Sequence, residues 1–122
     1  MGPGGIEHRP MDYESAALPL SYGPEGSRSS ASKGALIGMA RTMALGLGAD
    51  GIAAMAVAPG LTRTPATDVV PPEEFADVAS HQALARPLTP DDTAAVVTML
   101  TRDDAAALTG QTLIVDGGLV LQ

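Results

Sequence analysis

Apolar residues between positions 29 and 47 recur at helical spacing and fall into two adjoining stripes. One stripe contains small residues: Ala31, Ala35, Gly38, Thr42 and Gly46. The other contains bulkier residues: Leu36, Met39, Met43 and Leu47. This spacing predicts a helix over 29–47, with close backbone approach along the small stripe and core packing along the bulkier one. Gly48 and Gly51 predict the end of the helix.

A continuous apolar run follows at 52–58 and is ended by Pro59 and Gly60. Such a run between turn signals is typical of a strand that is buried on both faces in a parallel sheet. A second strand is predicted over 111–115, where Asp116 and two glycines end it.

Two further helices are predicted from their first residues. Pro71 and Pro72 open a short helix that carries Phe75, Val78 and Ala79 on one face. Thr89 precedes Pro90 and two acids, which is typical of an N-cap, a first-position proline and an acidic first turn. The inner face of that second helix is predicted to contain Val96, Met99 and Leu100.

The order helix, strand, helix, helix, strand predicts an α/β fold, and two strands alone do not make a stable sheet. Residues 1–28 lack this patterning and contain scattered prolines and glycines. We therefore predict an irregular N-terminal segment over 1–28 and a folded part over 29–122.

Composition excludes several functional classes. The net charge of −7 disfavours binding to nucleic acid or to an anionic membrane, because such binding needs a basic surface. The chain has no cysteine, so disulfides and thiolate metal sites are excluded, and His8 and His81 lack a partner at ligand spacing. Neither a signal peptide nor a membrane-length apolar run is present, and we expect a cytoplasmic protein.

Four motifs follow one another at 30–36, 50–60, 86–92 and 109–118. Together they resemble the C-terminal part of short-chain dehydrogenase/reductases, close to the 3-oxoacyl-carrier-protein reductase type. The resemblance implies the C-terminal portion of a Rossmann-type doubly wound parallel sheet, incomplete on its own. It also implies hydride transfer between NAD(P)H and a small carbonyl or alcohol, with NAD and NADP both open.

The resemblance makes Lys33 the active-site lysine that binds the nicotinamide ribose. In the family a tyrosine four residues earlier acts as general acid/base, since positions four apart share one helix face and the ammonium lowers the pKa of the phenol. Ser29 occupies that position here. Ser15 lies near the spacing of the family's substrate-binding serine, but no apolar strand precedes it.

The resemblance also implies a cofactor loop after the first strand. Pro59 and Gly60 match the family's turn, and the backbone at Thr62 and the hydroxyl of Thr64 would face the nicotinamide carboxamide and neighbouring phosphate. No Gly-x-x-x-Gly-x-Gly or Gly-x-Gly-x-x-Gly turn follows a strand in this sequence, so the dinucleotide-binding half of the family is missing.

Three functional hypotheses remain. The first is a truncated or frame-shifted NAD(P)-dependent oxidoreductase, inactive as this chain. The second is a non-catalytic relative that forms a homo-oligomer or binds a full-length family member through helix 29–47 and the closing strand. The third is a small enzyme with a different reaction that uses Lys33 or a loop serine, for which the sequence contains no triad or metal site.

Overall fold

The structure, a computed structural model, describes residues 24–121, which form three helices and two strands. In chain order these are α1 (Pro24–Leu47), β1 (Ala56–Pro59), α2 (Pro72–His81), α3 (Pro90–Leu100) and β2 (Thr112–Val115). Short 3-10 turns lie at Gly48–Asp50, Pro65–Thr67 and Asp103–Leu108.

Helix α1 begins five residues before the predicted start at Ser29, so the prediction of irregular structure is wrong for residues 24–28. A proline suits the first helical position because its φ is already helical and its missing N–H has no partner to lose there. The helix ends through a 3-10 turn, after which Gly51 takes a left-handed φ of 73°. The predicted glycine stop is confirmed.

The predicted core-facing stripe of α1 is wrong for three of its four residues. Leu36, Met39 and Met43 are 57%, 53% and 42% exposed. Leu47, the fourth, is half-buried, and it lies on a different line of the helix with Ile37, Ala40 and Ala44, which are also half-buried. A helical wheel finds the most apolar stripe, but the covered stripe is the one on which other elements pack.

Strands β1 and β2 pair in parallel, from Ala56 opposite Thr112 to Pro59 opposite Val115. The predicted strand at 52–58 is therefore too long at its start, and Ile52 is 51% exposed. Strand β1 is half-buried rather than buried on both faces, because it has one neighbouring strand in the described part of the chain. Strand β2 lies within one residue of its prediction at each end.

The predicted helix starts at Pro72 and Pro90 are confirmed. Thr89 and Asp92 form a reciprocal capping box at the start of α3. Phe75 and Ala79 of α2 are buried as expected, but Met99 of α3 is 47% exposed and does not belong to the inner face. The buried apolar side chains of the described residues are few: Phe75, Ala79, Leu88 and Ala105. Leu88 lies beside Gly60 at the carboxyl end of the strand pair, where the candidate site lies.

Candidate functional site

The loop after β1 starts at the carboxyl edge of the parallel strand pair. The amide of Gly60 donates to the carbonyl of Val115 at 2.8 Å, which extends the ladder by one step. A Cβ on Gly60 would lie 2.9 Å from the Cβ of Asp116 and 3.4 Å from Leu88 Cδ1. Only glycine allows this approach, so the glycine of the predicted Pro59-Gly60 turn has a packing reason.

Residues 59–67, here called the threonine loop, are organised by their own side chains. Thr67 Oγ1 accepts from the Thr64 amide at 2.9 Å and lies 2.8 Å from the carbonyl oxygen of Thr62, to which it donates. Thr62 Oγ1 donates to the carbonyl of Gly60 at 3.0 Å. The Thr64 hydroxyl lies 3.5 Å from Thr67 Oγ1, and Thr64 and Thr67 together form a capping box. The loop is therefore pre-organised by hydrogen bonds among its own threonines.

Two further contacts join the threonine loop to the rest of the structure. The amide of Arg63 donates to the carbonyl of Leu88 at 3.2 Å, beside a parallel bridge between Thr62 and Leu88. The Arg63 guanidinium lies 4.4 Å from the centroid of the Phe75 ring on α2. The loop is thus held between the segment before α3 and the buried face of α2.

The turn after β2 packs against the start of the threonine loop, through Asp116 and Gly60. The buried Asp116 carboxylate accepts from the amides of Gly118 at 2.9 Å, Leu119 at 3.3 Å and Val120 at 3.0 Å. The carbonyl of Gly117 accepts from the amide of Leu84 at 2.8 Å. This turn therefore fixes the end of β2 and the chain that leaves α2.

An ion pair fixes the segment that enters α3. Arg86 donates to both oxygens of the Asp92 carboxylate, at 2.9 and 2.7 Å, and the Thr89 amide donates to it at 2.8 Å. The hydrogen bonds from Arg86 and then from Thr89 hold the pKa of the Asp92 carboxyl well below its usual range. Leu88, between these residues, is thereby held against the threonine loop.

The structure groups some of the predicted site residues and separates others. Pro59, Gly60, Thr62 and Thr64 share the threonine loop. Lys33 is exposed on α1, one helical turn after position 29, and no hydrogen bond or ion pair joins it to that loop in residues 24–121. Ser15 lies outside the described residues.

The sequence analysis did not predict three features of this site: the role of Thr67, the role of Asp116 and the contact between Arg63 and Phe75. Thr67 had a local signal, since a threonine three residues after Thr64 fits a capping box, which the structure contains. Asp116 preceded two glycines, which is typical of a side chain that bonds the backbone of a turn. The contact between Arg63 and Phe75 had no local signal.

Within 24–121 no three His, Asp or Glu side chains lie close enough together to hold a metal ion. No helix in this part of the chain is long and apolar enough to cross a membrane.

Comparison with known proteins identifies the family. Residues 18–120 match a protein-family model described as enoyl-(acyl carrier protein) reductase. The glucose 1-dehydrogenase of Gluconobacter oxydans is 44% identical over 94 residues, which cover 75% of this chain and 35% of that enzyme. The chain belongs to the short-chain dehydrogenase/reductase family. The predicted resemblance is confirmed, and the chain spans about a third of the length of this relative.

Solved structures of the family agree with the fold. The 3-oxoacyl-[acyl-carrier protein] reductase of Brucella melitensis superposes with a TM-score of 0.69 at 36% identity, over 76% of this chain and 35% of that one. A 4-hydroxyisoleucine dehydrogenase complexed with NADH gives 0.67 at 31% identity, over 75% and 38%. The predicted fold class is confirmed: α/β, a portion of a Rossmann-type doubly wound sheet that is incomplete on its own.

Proposed function

We propose that this chain supplies the nicotinamide side of an NAD(P)-dependent oxidoreductase acting on a carbonyl or alcohol, and that the 122-residue chain alone has no appreciable dehydrogenase activity. The observation that carries the first part is the pre-organised threonine loop at the carboxyl edge of a parallel strand pair. In open α/β sheets, ligands bind outside the carboxyl ends of the strands.

The residues present fit the nicotinamide end of the cofactor. In the capping box the Thr64 hydroxyl acts as an acceptor, and its only contact as a possible donor in the described residues is the long one to Thr67, so it can donate to a carboxamide or phosphate oxygen. Lys33 is an exposed ammonium with three donors, which suits the hydroxyls of a ribose. When bound, the nicotinamide would supply or accept the hydride.

The residues present do not fit the pyrophosphate end. A helix N-terminus after a glycine-rich turn is the usual cradle for these phosphates, and the sequence has no glycine-rich motif that follows a predicted strand. Ser29 stands where the family has its tyrosine, and a serine hydroxyl without a neighbouring base is too weak an acid to protonate a carbonyl oxygen. Both features argue against turnover by this chain alone.

An NMR titration tests the nicotinamide side separately from turnover. Reduced nicotinamide mononucleotide should shift the amides of Leu61 to Thr67 in the ¹⁵N-labelled chain, whereas adenosine monophosphate should not. Thr64→Val should weaken the response. Thr98→Val is the matched control. The Thr98 hydroxyl donates to the Ala94 carbonyl on the exposed face of α3, outside the threonine loop, so its loss should leave the response unchanged. Amide shifts confined to residues outside the threonine loop, or an equal response to both nucleotides, would contradict the proposal.

A second candidate function is association, and one observation favours it. The apolar side chains of Leu36, Met39 and Met43 form an exposed line on α1. A surface helix of a globular protein usually buries such a line, and exposed apolar patches often mark an interface. The chain would then act by binding a second copy of itself or a full-length relative, without chemistry of its own.

Sedimentation velocity over a range of concentrations tests this second candidate. Association through α1 predicts a concentration-dependent sedimentation coefficient that Met39→Glu abolishes. Arg41→Glu, on an exposed position of the same helix outside that line, should not abolish it. A wild-type chain that stays monomeric throughout the concentration range would contradict association. A cytoplasmic location remains a prediction.

A further inference from the structure

Arg63 differs from the other arginines that carry a described side-chain partner. Arg86 and Arg102 each form a two-point ion pair, with Asp92 and Asp104 respectively. Arg63 forms no ion pair in residues 24–121, and its partner is the face of Phe75. A guanidinium stacked at this distance is attracted by the electrons of the ring and covers the ring's apolar face.

The ring of Phe75 offers Arg63 a buried aromatic face on α2. It is the only aromatic residue between positions 24 and 121 and is 3% exposed, although it belongs to the short helix α2. Because Arg63 is exposed and Phe75 is buried, the guanidinium lies between the ring and water. The contact thus joins a surface loop directly to the small core.

The backbone on both sides of Arg63 is fixed within the loop. The Arg63 amide is bonded to Leu88, and the Thr67 hydroxyl bridges the backbones of Thr62 and Thr64. A displacement of the loop would therefore move the Arg63 Cα and with it the guanidinium. A displacement of α2 would move the Phe75 ring from below the same guanidinium.

We propose that Arg63 is a positioning residue that couples the threonine loop to α2 through its contact with Phe75. The inference rests on the proposed function, in which the threonine loop faces the nicotinamide. Arg63 would thus set the position of the threonine loop relative to α2, although it touches no ligand itself.

Amide hydrogen exchange followed by mass spectrometry tests the coupling in the full 122-residue chain. In Arg63→Met, peptides from the threonine loop and from α2 should both exchange about two- to five-fold faster, the factor expected from an exposed cation–π contact. Arg63→Lys keeps a cation and should lie between wild type and Arg63→Met. Arg102→Met is the matched control and should leave both segments unchanged, since its partner Asp104 lies after α3.

The pattern of exchange decides between coupling and general destabilisation. Faster exchange in the loop and α2, with β2 unchanged, supports the proposal. Faster exchange in the loop alone, in neither segment, or equally in every segment including β2 would overturn it.

A fluorine label gives a second, independent readout. The chain contains one phenylalanine, so 4-fluorophenylalanine labels Phe75 alone. Thr67→Val disrupts the loop from within, and its effect should reach the ring through Arg63. We expect Thr67→Val to move the fluorine resonance in the wild-type background and to leave it unmoved in the Arg63→Met background. An equal shift in both backgrounds would overturn the coupling. Neither experiment contains a cofactor, so their results are distinct from those of the nicotinamide titration.

Discussion

Gly60 lies directly against Asp116: a Cβ on Gly60 would be 2.9 Å from the Asp116 Cβ and 3.0 Å from its Cα. These residues follow the last residues of β1 and β2, which pair with each other. The contact therefore closes the carboxyl edge of the strand pair and fixes where the threonine loop starts. Asp116 cannot move away easily, because its carboxylate accepts three backbone amides of the next turn.

Gly60→Ala should destabilise the fold by about 1–3 kcal/mol, because the added methyl group meets backbone and Cβ atoms instead of a flexible side-chain end. The free energy of unfolding in urea measures the effect. Gly46→Ala is the control: no atom lies within 4 Å of its Cβ position, and alanine in a helix should stabilise by about 0.5–1 kcal/mol. Equal stability of Gly60→Ala and wild type would show that the strand edge is not packed as described.

Truncation of Phe75 should reveal where the core lies. Phe75→Ala removes a ring that is 3% exposed and should cost about 3–5 kcal/mol of unfolding free energy. Leu45→Ala is the control. It truncates an aliphatic side chain that is 87% exposed and should change the free energy of unfolding by less than about 0.5 kcal/mol. Similar losses from the two variants would contradict the core assigned here.

The Arg86–Asp92 pair should make stability depend on pH in acid. Because the pKa of Asp92 is lowered in the folded state, the pair stabilises fully above the unfolded carboxyl's value of about 4 and loses its effect as the pH falls through the folded pKa. Thermal midpoints measured below about pH 4 should therefore decline less steeply in Asp92→Asn than in wild type. An equally steep decline in Asp92→Asn and wild type would contradict a contribution of the pair to acid stability.

The parts of the fold that could be predicted from sequence are those with local causes. Pro72 and Pro90 begin their helices as predicted, because proline at the first position and a threonine cap act within one turn. The length of β1 and the covered face of α1 depend on distant elements, and both were predicted wrongly. Pairing and covering are not visible in local periodicity.

The same division applies to the candidate site. The sequence predicted that Thr62 and Thr64 share a loop after a strand, because the turn residues Pro59 and Gly60 precede them. The approach of Gly60 to Asp116 and the stacking of Arg63 on Phe75 join residues that are distant in the chain. Such contacts follow from the packing of the elements, which a single sequence does not specify.

The most direct test of the central claim is the rate at which the purified 122-residue chain oxidises NADH or NADPH with a panel of ketones. We expect no turnover above the buffer rate, for wild type and Lys33→Ala alike, because Ser29 replaces the family's tyrosine and the sequence has no glycine-rich motif after a predicted strand to cradle the pyrophosphate. Turnover by the wild-type chain that Lys33→Ala abolishes would contradict the account and would place a working active site around Lys33.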